Sequence, residues 1–464
     1  MKQGEKNRNR TKTKGRPVKR AAAGERPEKV GRETKKRSAP AKPGATVTFA
    51  SLLYGMAGSP TKPVDSVTLQ AAPLAHLQYG DELALKDKAL KEFWQKFRLS
   101  GTPEPVIPSP RPRGYRTTSK RRCIFRGSQL HLVFGDKILK DQKRAFLESP
   151  LEPPEHARIY TFLQQKLSEP AWKLIAAHLN YLIIRGSYEE RVVILNIRKM
   201  TGPLVHKLKI LAEHLQKQPE PVTGVFAYLD PTGSDYYLES RRPESGLQMK
   251  KLYGPAHLSV QYGDCRFHFH PTSFSQVNES IVSFMLGKAR ELLAPGSKER
   301  LVDLYCGYGL FSHSLAGSCK QVVGIDAEGP SIREAQANAK LNGNTNKTRF
   351  HARRITPKSL HDLLPVSTEP TVYILDPPRQ GPQRGVIEAI CEREPGRVLH
   401  IFCGVDQIPA AFREWQENGY QVERVVPLDM FSGTANLEVL VLLTRKPMAS
   451  SSPARTRHIS GGRK

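Results

Sequence analysis

The apolar positions of the chain change rhythm near residue 280. Before it, from Asp81 to Leu99, apolar residues recur at helical spacing (Leu83, Leu85, Ala89, Leu90, Phe93, Phe97), which predicts an amphipathic helix. GTPEPVIPSPRPRG follows, and its prolines forbid a helix and mark a linker. CIFRGSQLHLVF and YLIIRGSYEERVVILNIR are strand pairs broken by turn residues, and LVHKLKILAEHLQK is a helix. Helices and strands mixed without strict alternation predict an α+β domain over 63–265. After the change, IVSFMLGKARELLA is helix-like. RLVDLY, QVVGID, TVYILD and RVLHIF are short apolar runs separated by helical stretches. That is the pattern of a parallel sheet covered by helices, here over 266–446. VERVVPL and LEVLVLLTR close it. The patch TVTFASLLYGMAGSPTK at 46–62 yields no element, and no internal repeat is visible.

Charge changes this picture at both ends. The 464 residues carry 72 Lys and Arg against 44 Asp and Glu, a net charge of +28. Residues 1–45 hold +12 and residues 446–464 hold +5, which leaves +11 on the body. An excess this large points to a polyanionic partner, most simply nucleic acid. Residues 1–62 and 447–464 are expected to be basic and mostly disordered, because they carry few bulky apolar residues. The N-terminal arm reads equally as a phosphate contact and as a solubilising tail. It has no apolar signal region, and Glu5, Glu25, Glu28 and Glu33 disfavour a transit peptide. No run approaches the roughly 18 apolar residues of a membrane span, so an integral membrane protein is excluded. None of the six cysteines forms a C-x-x-C pair. That argues against a zinc ribbon, a cysteine-clustered iron–sulfur site and a disulfide scaffold. A reducing, cytoplasmic setting and a monomer are expected.

The candidate chemistry lies at the ends of the later strands. Gly307 and Gly309 in LVDLYCGYGLF allow a tight turn and close approach of a ligand. Asp326 ends the next strand, where an acid can accept hydrogen bonds from both ribose hydroxyls; its other reading is a helix N-cap. Asp376 ends a third strand and is followed by Pro377 and Pro378, which stiffen a shaped loop. Arg379 beside them is a candidate phosphate or base contact. Cys403 ends a fourth strand, and Gly404 leaves space before its sulfur. In open α/β sheets ligands bind at the carboxyl ends of the strands. Glu438 begins the last strand. If that strand is antiparallel, its start joins the same edge, and its Leu437 and Val439 neighbours suit it to act as a base.

These motifs together resemble the S-adenosylmethionine-dependent RNA uracil-5-methyltransferases, which make 5-methyluridine in tRNA or ribosomal RNA. FSQVN, LYCGYG, DPPRQG, Cys403 and DMFSGTANLEVLVLL carry the resemblance, with SPRPRGYR upstream. It implies an α/β fold: a Rossmann-like class I methyltransferase domain preceded by an α+β RNA-binding domain. It implies S-adenosylmethionine, RNA as partner, Cys403 as nucleophile and Glu438 as base. Gln276, Tyr305, Asp326 and Asp376 would bind the cofactor or lie beside it. No iron–sulfur cluster is expected. There are three departures from the family's usual pattern. Gly404-Val405 replaces Asn-Pro, Leu310 replaces Asn, and Asp326 replaces Glu. They motivate a second reading, a non-catalytic RNA-binding protein that keeps the fold.

Overall fold

A computed structural model describes residues 47–58, 71–134, 148–220, 222–233 and 249–446, except 328, 365 and 367. Most of the basic arm and the whole C-terminal tail lie outside these residues. In chain order the elements are α1 (Phe49–Ala57), α2 (Tyr79–Phe97), β1 (Thr118–Arg126), β2 (Gln129–Val133), α3 (Pro154–Ser168), α4 (Lys173–Ala176), β3 (Leu179–Gly186), β4 (Arg191–Ile197), α5 (Gly202–Gln216), β5 (Gly224–Leu229), β6 (Met249–Tyr253), β7 (Leu258–Tyr262) and β8 (Cys265–Phe269). Then follow α6 (Glu279–Leu293), β9 (Arg300–Leu304), α7 (Leu310–Leu315), β10 (Gln321–Asp326), α8 (Gly329–Leu341), β11 (Thr348–Ala352), α9 (Pro357–Leu363), β12 (Thr371–Leu375), α10 (Val386–Cys391), β13 (Arg397–Phe402), α11 (Ile408–Glu417), β14 (Tyr420–Leu428) and β15 (Glu438–Arg445).

The later strands form a seven-stranded sheet in the order β11-β10-β9-β12-β13-β15-β14. The first five are parallel, while β15 runs antiparallel to both β13 and β14. This is the Rossmann-like α/β architecture, and the strand order reverses between β9 and β12. The earlier strands form a six-stranded sheet, β2-β1-β3-β4-β5-β6. Only its β4–β5 pair is parallel, joined through α5. One face of that sheet packs on α3, α4 and α5. The other face, with Tyr181, Ile183, Val192, Ile194, Phe226 and Tyr228, shares a core with α6, the β7–β8 hairpin and one face of the seven-stranded sheet.

Two stretches take places that periodicity did not show. The proline-rich linker is extended and lies along β14. Glu104 and Ile107 donate their amides to the Val425 and Pro427 carbonyls, and Ile107 accepts from the Asp429 amide. It thereby covers a sheet edge that would otherwise be open. The unassigned patch holds α1, within the stretch expected to be a disordered arm. Thr48 and Ser51 cap it reciprocally, and Phe49 and Leu53 are buried. Phe49 meets Phe93 of α2 edge to face, with ring centroids 6.2 Å apart.

A buried ion network fixes α2 to the loop before β15. Lys86 Nζ lies 2.7 Å from Glu82 and 2.6 Å from Asp429, and all three side chains are buried. Arg113 reaches Glu82 at 2.8 Å, Tyr79 donates to Asp429, and the Gly433 amide donates to Glu82. Lys86→Ala leaves the Asp429 carboxylate buried without its cation. We expect a loss of about 3–5 kcal/mol in urea denaturation followed by tryptophan fluorescence. A loss under about 1 kcal/mol would contradict this role.

Candidate functional site

The site lies at the carboxyl edge of the parallel strands. After β9 the chain turns sharply: Tyr305, Gly307 and Gly309 all have positive φ (64°, 53° and 88°). Only glycine suits position 309, because a Cβ there would sit 2.6 Å from the His313 ring. At Gly307 a Cβ would meet nothing within 4 Å, so the loop faces open space. Tyr305 holds the left-handed conformation without glycine's freedom, a strained geometry typical of functional sites. Its amide and that of Cys306 bond to the Ile325 carbonyl, tying this loop to the end of β10. The Asp326 carboxylate then accepts from the Gly307 amide at 3.0 Å. Beneath the loop, buried Asp303 accepts from Ser312 Oγ at 2.6 Å, and burial lifts its carboxyl to about 7.

Asp376, Cys403 and Glu438 come together beside this loop. Residues Phe402 and Val439 are paired across β13 and β15. One step further in the same register, Cys403 stands opposite Glu438, the residue that opens β15. Cys403 Sγ lies 3.9 Å from the Pro377 carbonyl. Burial, then the Glu438 and Asp376 carboxylates, push its thiol up to about 12, while Arg379 acts the other way. Glu438 is buried, and desolvation with nearby Asp376 pushes its carboxyl well above the usual range. Burial pushes Asp376 up to about 7. The exposed Arg379 guanidinium lies 5.9 Å from the Phe431 ring centroid.

Gln276 is placed differently. It is buried in the segment joining β8 to α6, and its neighbours brace that segment. Asn278 donates to Ser109 and to the Met430 carbonyl, and Thr117 donates its amide to Val277. These contacts tie the FSQVN segment to the loop that leads to β15. They do not join Gln276 to the other five residues directly. The Leu310 side chain is packed in the core and is apolar.

Two residues escaped sequence reasoning. Gln407, in the turn after Cys403, donates its side-chain amide to the Arg379 carbonyl at 2.6 Å, which links the cysteine loop to the DPPR loop. Its Oε1 is buried without a hydrogen-bond partner among the described residues, close to Gly381 of the DPPR loop. Asp406 accepts the Phe49 amide at 2.7 Å, so the first turn of α1 is latched onto the same loop. Phe49 and Leu53 also share a core with Phe402, Val405, Ala435 and Leu437. These residues flank Cys403 and Glu438. The only signals in the sequence were the TxxS capping pattern at 48–51 and an acid after Val405.

Comparison with known proteins bears on the family and the fold. Residues 234–446 match the family model described as tRNA (Uracil-5-)-methyltransferase. A protein of Enterococcus faecalis named as an uncharacterized RNA methyltransferase is 25% identical over 394 residues, covering 83% of this chain and 84% of its own. A protein of the same description from Thermosynechococcus vestitus is 28% identical, covering 79% and 80%. The solved structure of Pyrococcus abyssi tRNA (uracil-54, C5)-methyltransferase, in complex with S-adenosyl-L-homocysteine, superposes with a TM-score of 0.58. It is 20% identical and covers 81% of this chain and 86% of that one, and it shows the shared fold. The resemblance read from the motifs is borne out.

The Asp406 latch makes a prediction. A hydrogen bond to a charged group is worth about 1.5–3 kcal/mol, and 1.4 kcal/mol is tenfold in an equilibrium. Asp406→Ala should therefore raise the alkylation rate of Cys403, read by mass spectrometry of its peptide, roughly tenfold. Asp406→Asn keeps an acceptor oxygen and should stay near the parent rate. Equal rates in all three would mean that α1 does not hold the loop.

Proposed function

We propose that this protein is an S-adenosylmethionine-dependent RNA methyltransferase that methylates C5 of a uridine in tRNA or ribosomal RNA. The observation that carries the reading is the register that sets Cys403 opposite Glu438, with Asp376 beside them. Gly307, facing open space, and the Asp326 carboxylate at the end of β10 fit the nucleoside half of the cofactor. Asp376, Tyr305 and Gln276 complete the proposed set. When bound, the cofactor supplies an electrophilic methyl on a cationic sulfur.

The chain's own groups supply the rest. Uracil C5 is a weak nucleophile. The Cys403 thiolate adds to C6, and the electron pair of the C5–C6 double bond moves onto C5 and the neighbouring C4 carbonyl oxygen as an enolate. C5 then takes the methyl group. Glu438 accepts the C5 proton, and the C6–S bond breaks to restore the double bond and the thiolate. Attack comes from above the ring plane, so the uridine must be unstacked and turned out of its helix. The basic body suits a polyanion.

A non-catalytic RNA-binding protein is the competing reading, favoured by Gly404-Val405 and Leu310. Against it stands the retention of a nucleophile, a base and a cofactor acid on one edge. Labelled S-adenosylmethionine and unmodified total RNA separate the two. Label in 5-methyluridine, lost in Cys403→Ala, is expected; RNA binding without label in either protein would favour the non-catalytic reading.

The raised thiol sets a pH dependence. Below its pKa, a thiol gains about tenfold in thiolate per pH unit. Adduct formation with RNA containing 5-fluorouracil, in the presence of the methyl donor, should therefore speed up through pH 7–9. A rate that falls across that range would count against Cys403 as the attacking group.

A further inference from the structure

Two clefts in the six-stranded sheet meet at Arg122 and Arg198. One, about 570 Å³, is otherwise mostly apolar, with Ile124, Phe125, Ala177 and Leu179 in its lining. The other, about 240 Å³, is lined by Asn180, Tyr181, Thr232 and Gly233 among others. No acidic side chain lines either cleft among the described residues. The larger volume falls in the range of about 300–1,000 Å³ typical of ligand sites.

The arginines are set by the fold. Arg122 is the exposed residue between buried Arg121 and Cys123 on β1, and it is paired with Tyr181 on β3. Arg198 follows β4, and its Nε donates to Asn180 Oδ1 at 2.6 Å. Asn180 is itself buried and donates to Asn196 and to the Asp230 carbonyl. The Asp230 carboxylate accepts from the Thr232 and Gly233 amides, which fixes the rim. Lys120 lies over the Tyr181 ring, 5.1 Å from its centroid, and adds a third cation. The guanidinium of Arg198 is thus oriented by a buried amide network instead of trailing in solvent.

We propose that the joined clefts hold one unpaired RNA nucleotide, with its base in the apolar half and its phosphates on Arg122 and Arg198. Apolar contact with an unstacked base and guanidinium contact with phosphate is how proteins grip single-stranded RNA. The inference rests on the RNA reading above and adds a second RNA contact, on the sheet that does not carry Cys403.

The test measures affinity of the full chain for a fluorescein-labelled, unmodified tRNA transcript at several salt concentrations. The Arg122→Ala/Arg198→Ala protein should bind at least tenfold more weakly. The slope of log affinity against log salt should shrink by about 1–2, because each neutralised phosphate contributes about 0.7–0.9. Lys96→Ala, which removes an exposed charge on α2, is the matched control. 4-Thiouridine RNA should crosslink to the peptide holding Phe125 or to that holding Tyr181. Affinity and slope equal to those of Lys96→Ala, with no such crosslink, would overturn the proposal. Methyl transfer by the parent protein reads the other claim separately. Label in 5-methyluridine beside an unchanged salt slope sinks the groove alone. A reduced slope without any methyl transfer sinks the catalytic reading alone.

Discussion

Asp376, Cys403 and Glu438 meet where water is scarce, and each carboxylate raises the cost of ionising the thiol. Three negative charges cannot share such an edge when Arg379 is the cation facing both Cys403 and Glu438. The site is therefore built to receive positive charge. Under the proposed function, the cationic cofactor would meet that demand, and Asp376 would be among the residues that hold it. On that reading, the cationic donor binds before the nucleophile ionises. A thiol held protonated until then is also shielded from chance alkylation.

The edge exists because of one reversal in the sheet. Parallel strands bring only their carboxyl ends to a common side, which accounts for Asp326, Asp376 and Cys403. A residue at the start of a strand reaches that side only if its strand runs the other way. β15 does so, and its pairing with β13 carries Glu438 to the position facing Cys403. Leu428, paired with Glu438 from β14, closes the far side with apolar surface. A one-residue slip of β15 would turn Glu438 to the opposite face of the sheet. The Lys86 network holds the preceding loop at Asp429 and Gly433, so a register on one strand depends partly on a helix more than 300 residues earlier.

Much of this was legible in the sequence because apolar runs and strand-end chemistry are local signals. The helix expected from Asp81 spans Tyr79–Phe97, and the expected strands are present with their acids and cysteine at the ends. The short β11 was missed because TRFHA alternates weakly, and β6 because MKKLY is mostly polar and partly exposed. Long-range pairings were beyond reach for a different reason. Nothing near Phe49 announces that its amide ends on Asp406, 357 residues away. Likewise, a proline-rich stretch reads as a linker whether it hangs free or lies along β14. Gln276 was legible as a residue of interest, but its place in a brace between segments was not.

The departure at Gly404-Val405 acquires meaning from those long-range contacts. A proline after the cysteine would stiffen the loop from within, by fixing φ. Glycine and valine leave it free, so rigidity has to come from outside. Gln407 ties the loop to the Arg379 carbonyl, Val405 sinks into the core shared with Phe49 and Leu53, and Asp406 anchors the first turn of α1. These three contacts restrain the loop that carries Cys403 from outside. They also make residues 48–57 a brace for the loop that carries Cys403, despite their place beside a basic arm. The departure at Gly404-Val405 is thus matched by contacts from a segment that also packs on Phe93 of α2.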